Sequence, residues 1–142
     1  KKCHDKMRYL KLFEGFSDRS KGLVTSITPS EYDAIIKETP SIEITDREIG
    51  LILDLFEKKY RDLTWTYDAF KDVFNPSRGE YQPHPHLKID CRASSWPGDQ
   101  FYISKYHDEW WVIEKWVITN PYPDVWLLDS FDGIKKFVEG IK

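Results

Sequence analysis

The sequence predicts an α+β fold, with helices in the N-terminal half, an antiparallel sheet of about four to five strands mainly within 87–128, and a closing C-terminal helix. Three observations predict it. Leu87, Ile89 and Cys91 alternate with Lys88, Asp90 and Arg92, the period of two of a half-buried strand. Thr45-Asp46-Arg47-Glu48 has the spacing of a capping box and precedes Ile49, Ile52, Leu53, Phe56, Tyr60 and Leu63 on one helical stripe. Trp110-Trp111-Val112-Ile113-Glu114-Lys115-Trp116 concentrates three tryptophans on an alternating segment, the mark of a strand in the middle of a sheet.

The elements follow in order. Lys1 to Lys6 precede Met7, the single methionine. Either Met7 begins the protein and the first six residues are upstream extras, or the chain is a fragment with an earlier start. Ser17 to Gly22 form a polar turn, and Leu23 to Ile27 a short β-branched strand. Thr28 caps a helix with Pro29 at its first position and Glu31 closing a capping box, over 29–38; Pro40 disfavours helix in Thr39. Ser41 to Ile44 is briefly extended. The capping box at Thr45 starts a helix over 46–62, and a shorter helix is predicted over 68–74, stopped at Asn75-Pro76.

Ser77 to Pro85 reads as an exposed loop leading into the strand from Leu87, which Ser94 to Asp99 interrupt. Phe101 to His107 and Trp110 to Ile118 form a hairpin about Asp108-Glu109. A two- or four-residue loop sets Tyr106 opposite Trp111 and Lys105 opposite Val112; a three-residue loop shifts that register. After the loop Asn120 to Pro123, Val125 to Leu128 is a last strand. Asp129 or Ser130 then caps a helix over 131–141 with Phe131, Ile134, Phe137, Val138 and Ile141 on its apolar face.

Composition bounds the function. At 142 residues the chain fits one domain. With 40% hydrophobic and 32% charged residues it has globular rather than disordered character. Aromatics reach 15%, so the core is ring-rich or some rings face a partner. The net charge of −3 argues against general duplex-DNA binding, which depends on phosphate neutralisation. Cys3 and Cys91 are the only cysteines; Cys91 falls at an apolar strand position, as a buried free thiol. No apolar run approaches the roughly 20 residues of a membrane span, and Lys1 to Arg8 lacks the apolar core of a signal peptide. The chain is expected to be soluble and cytoplasmic.

The chemistry-bearing residues are few. His84-Pro85-His86, with His107, Cys91 or Asp90, are the candidates for a metal site or a metal-dependent hydrolase or nuclease. Both prolines favour a polyproline-like form in which residues two apart point different ways, which argues for a loop instead. No nucleophile elbow, Walker loop or dinucleotide fingerprint occurs, and no metal or cofactor is implied. A catalytic Cys91 would need one of the histidines beside it. Adjacent Trp110 and Trp111 must point to opposite faces of their strand. A stacking platform therefore forms if one face stays open, with Trp116 adding to it and Trp65, Trp96 and Trp126 lying near turns.

The opening Met7-Arg8-Tyr9-Leu10-Lys11-Leu12-Phe13-Glu14 is similar to the start of small uncharacterised proteins of marine tailed phages. The ending also resembles theirs: a strand pair around Asp108-Glu109-Trp110, then Trp126-Leu127-Leu128-Asp129-Ser130-Phe131-Asp132-Gly133-Ile134 entering a short helix. Those proteins often have a Cys-Asp-Gln-like sequence where this chain has Leu128-Asp129-Ser130. The resemblance covers these two stretches only and carries no activity and no site residue; it implies a phage protein working in a host cytoplasm.

The expected function is that of a small accessory protein that binds a protein partner through an aromatic surface built on Trp110, Trp111 and Trp116. The alternative is a single-strand nucleic-acid binder using the same rings with Lys88, Arg92, Lys105 and Lys115 on the sheet.

Overall fold

A computed structural model of the protein describes residues 24–38, 41–68, 72–75, 80–91, 98–107, 110–117 and 120–141. Cys3, the stretch around Met7, the 17–22 turn, Arg92, Trp96 and the hairpin tip Asp108-Glu109 lie outside the described residues.

In chain order the elements are β1 (Val24–Ile27), α1 (Pro29–Glu38), α2 (Asp46–Glu57), β2 (Thr64–Asp68), β3 (Asp72–Asn75), β4 (Glu80–Pro83), β5 (His86–Asp90), β6 (Asp99–Lys105), β7 (Trp111–Val117), β8 (Asp124–Leu128) and α3 (Phe131–Glu139). Six strands form one antiparallel sheet in the order β1-β8-β7-β6-β5-β2, and β3 pairs with β4 separately. The sheet is thus wider than the four to five strands expected, because both of its edges come from the N-terminal half.

Both predicted capping boxes are present. Thr45 Oγ1 accepts from Glu48 N–H while Glu48 Oε1 accepts from Thr45 N–H. Thr28 and Glu31 make the same reciprocal pair at the head of α1. Ser130 occupies the N-cap position of α3, but its hydroxyl donates to Asp129 Oδ1 rather than to the helix backbone.

Three expectations need correction. α2 stops at Glu57, not near 62, with the N–H groups of Lys59 and Tyr60 turning back to Phe56 O. Tyr60 then leaves the helix to donate its hydroxyl to Asp99 Oδ2 at 2.8 Å. The predicted helix over 68–74 does not form: β2 occupies 64–68 and β3 begins at Asp72, with 69–71 outside the described residues. Within the predicted loop 77–85, residues 80–83 are β4, paired with β3.

The hairpin register also differs from the two- or four-residue alternative. Lys105 lies opposite Trp111 and Gln100 opposite Trp116, and Tyr106 N–H donates to Trp110 O, which leaves three residues in the loop. That register lets the Tyr106 and Trp110 rings stack at 4.2 Å, within 5° of parallel, an arrangement their pairing across the strands rewards.

The sheet separates two cores. On one face Leu87, Ile89, Phe101, Ile103, Trp111, Ile113 and Leu128 pack against Ile49, Ile52 and Phe56 of α2 and Ile134 and Val138 of α3. On the other, Ile27, Tyr106, Trp110, Val112, Val125 and Leu127 pack with Tyr32 of α1. Trp110 and Trp111 therefore point to opposite faces as their adjacency requires, and helices of this chain lie on both faces at that point.

Candidate functional site

The aromatic strand lies inside the sheet as its alternation predicts, and the face expected to be open to a partner is covered as well. Trp111 is 1% exposed and meets Phe131 edge-on at 6.0 Å, with Lys105 Nζ 5.6 Å over its ring. Trp110 is 5% exposed against Tyr106. Trp116 is half-buried. Burial of the two adjacent rings removes them from any binding surface and assigns them to the two cores.

The basic residues do not share a face. Lys105 and Lys115 alternate in phase with Phe101, Ile103 and Trp111, on the side of α2 and α3. Each has an acidic neighbour: Lys105 Nζ lies 2.7 Å from Glu48 Oε2, and Lys115 Nζ 3.8 Å from Asp99 Oδ2. Lys88 alternates with Leu87 and Ile89, so it points to the opposite side, 5.9 Å over the ring of Tyr102. Arg92 lies outside the described residues. A phosphate-binding stripe made from Lys88, Lys105 and Lys115 together is not assembled.

Glu48 is the centre of the local electrostatics. Burial pushes its carboxyl up, but hydrogen bonds from Lys105 Nζ and from the Thr45 amide and hydroxyl outweigh this, and its pKa is lowered. One side chain thus closes the α2 capping box and ties the helix to β6.

His84 and His86 are buried, not on an exposed loop, and their rings stack at 5.9 Å and 28° rather than pointing apart. His86 already belongs to β5, so the two share the side of the sheet that carries Ser104 and Tyr106. Ser41 Oγ donates to Pro85 O at 3.0 Å, so it accepts from His84 Nδ1 at 3.1 Å, which places a proton on that nitrogen. The hydroxyls of Tyr32 and Ser104 lie 3.4 and 3.3 Å from His84 Nε2. His86 Nδ1 donates to His84 O at 2.9 Å. Tyr106 Oη is fully buried beside this cluster, with the Tyr32 and Ser104 hydroxyls as its polar neighbours. Burial holds the phenols of Tyr32 and Tyr106 in the neutral form, well above their usual pKa.

A serine beside an imidazole resembles a nucleophile pair, but Ser41 and Ser104 are both buried. The cluster links α1, the 41–44 segment, β5 and β6 through hydrogen bonds, which is a structural role. His107 is exposed at the end of the hairpin, apart from His84 and His86. Among the described residues no group of three or more His, Cys, Asp or Glu side chains is arranged to hold a metal. Burial first, then the nearby charges of Asp99 and Asp90, push the Cys91 thiol up to about 12, so it is not a thiolate at neutral pH.

The feature sequence reasoning missed is the sheet edge. β2 pairs on one side with β5 in an unbroken register from Thr64–Asp90 to Asp68–His86, and no strand flanks its other side among the described residues. Thr64, Trp65, Thr66 and Asp68 are exposed. Trp65 is 47% exposed, on the side of α2 and α3 opposite Ile89. Tyr67 beside it is anchored, its hydroxyl accepting from Ile44 N–H at 2.8 Å. The alternation Thr64-Trp65-Thr66-Tyr67 was the available signal; the helical spacing of Tyr60 and Leu63 obscured it.

The chain matches no family model, no curated protein and no solved structure. Its function is read from side-chain placement alone. No helix among the described residues is long and apolar enough to cross a membrane.

Proposed function

We propose that the protein is a small non-catalytic accessory domain that binds a protein partner at the β2 edge, with Trp65 as its aromatic anchor. The observation that carries this reading is the 47% exposure of Trp65 on a strand whose outer side pairs with no other strand among the described residues. An open edge offers its amides and carbonyls to an incoming extended segment, and a half-exposed indole beside it supplies apolar contact. The remaining rings of the aromatic strand serve the cores. The phage-like ends would place the partner in a host cytoplasm, where a soluble domain with a buried free thiol is at home.

Affinity capture from the source cell with immobilised wild-type protein and with Trp65→Ala tests this. A protein retained by the wild type and lost with Trp65→Ala is the expected result. Retention that is insensitive to Trp65 but lost with Lys88→Glu would instead favour contact through the sheet face, including a nucleic-acid ligand.

A further inference from the structure

Which segment fits the β2 edge is written in β2 itself. We infer that the partner strand is β2 of a second copy of this chain, in an antiparallel ladder with a two-fold axis through Thr66. The inference rests on the edge-binding reading above and names its occupant.

Strand geometry restricts the options. Residues directly opposite each other in an antiparallel ladder lie on the same face, so a two-fold axis perpendicular to the sheet must run through a residue that faces its own copy. Placing that axis at Thr66, the middle of Thr64–Asp68, pairs the whole strand. Trp65 then faces Tyr67 of the other copy and Tyr67 faces its Trp65, two aromatic pairs on the α2 and α3 side. On the other side Thr66 faces Thr66, and Thr64 faces Asp68, a hydroxyl donor opposite a carboxylate. No like charges are opposed in this register. An axis one residue either way shortens the overlap and sets Trp65 or Tyr67 against itself.

The edge also lacks the usual protection against such pairing. Natural edge strands are blunted by Lys, Pro, bulges or short length. β2 has no Lys, Arg or Pro, its register with β5 is continuous, and it is as long as β5. The opposite edge differs: β1 has four residues, ends in buried Ile27 and packs against α3. The joined sheet would run continuously through both copies. A five-residue overlap is smaller than a standard interface of about 800 Å² per partner. The dimer is accordingly weak and concentration-dependent.

Sedimentation equilibrium of the full chain across a concentration series is the first test, with a reversible monomer–dimer equilibrium expected. Thr66→Lys sets two ammonium groups face to face at the axis and is expected to weaken dimerisation by at least about tenfold. Its circular dichroism and melting temperature should match the wild type, because Thr66 is exposed. In a Cys3→Ser background, Thr66→Cys is expected to cross-link rapidly under mild oxidation, since facing Cα atoms about 4.5–5.5 Å apart suit a disulfide. Thr64→Cys, whose counterpart is Asp68, is expected to cross-link far more slowly. Wild-type protein that stays monomeric throughout, or Thr66→Cys that cross-links no faster than Thr64→Cys, overturns the inference. A monomeric wild type that still captures another protein through Trp65 overturns the self-pairing alone and leaves partner binding standing. If neither self-association nor Trp65-dependent capture is seen, both fail.

Discussion

Replacing Trp110 by alanine separates an architectural tryptophan from a binding one. Trp110 is 5% exposed and lies flat on Tyr106, with Val112, Val125, Leu127 and Tyr32 completing the same core. Truncating a buried Trp to Ala costs about 3–5 kcal/mol through lost transfer energy and the cavity left behind. The stacked pair adds about 0.5–1.5 kcal/mol that area alone does not count. Against a total stability of roughly 5–15 kcal/mol, the variant retains only part of its margin. For a domain of 142 residues this corresponds to a fall in melting temperature of roughly 10–20 °C. Urea unfolding followed by far-UV circular dichroism measures the difference. Trp65→Ala is the matched control and should stay within about 0.5 kcal/mol of wild type, because Trp65 is largely outside the core. A loss below about 1 kcal/mol for Trp110→Ala would refute the reasoning, since a ring so placed cannot be removed cheaply.

Three further outcomes follow from the same structure. Glu48 has a lowered pKa, so its contribution is complete above the unfolded-state carboxyl pKa and is lost as the pH falls through the depressed folded value. Glu48→Gln should cost about 1 kcal/mol near neutral pH, with the gap from wild type closing under acid; a pH-independent gap in urea midpoints would contradict this. Tyr106→Phe removes a buried hydroxyl whose neighbours, the Tyr32 and Ser104 hydroxyls, keep His84 Nε2 as a partner, so it should cost no more than about 1 kcal/mol in the same assay, and a larger loss would show that those hydroxyls depend on Tyr106. In a Cys3→Ser background, Cys91 should react with a thiol reagent at pH 8 at least about tenfold more slowly in the folded protein than in urea, and equal rates would show it accessible.

Features fixed by local spacing were legible in the sequence. Thr28 with Glu31 and Thr45 with Glu48 announce their helix starts because the reciprocal hydrogen bonds need that separation. Leu87, Ile89 and Cys91 declare a buried face by alternation, and Trp110 and Trp111 an opposed pair by adjacency. Features that depend on partners remote in sequence were hidden. The hairpin register turns on whether Tyr106 stacks with Trp110 or faces Trp111, which the loop residues do not announce. His84-Pro85-His86 looks like a polar loop until Ser41, Tyr32 and Ser104, from three other segments, supply its hydrogen bonds. Tyr60 and Leu63 continue the phase of α2, so the helical reading runs to 62 and leaves 63–67 unassigned, with Trp65 beside a turn.

The most direct measurement is backbone amide exchange across 64–68 and 110–117, in dilute free protein and again at high concentration or with the captured partner bound. The account predicts faster exchange at 64–68 than at 110–117 in the dilute protein and marked slowing at 64–68 on association. Slowing confined to 110–117, with 64–68 unchanged, would contradict it and return the binding surface to the tryptophan strand.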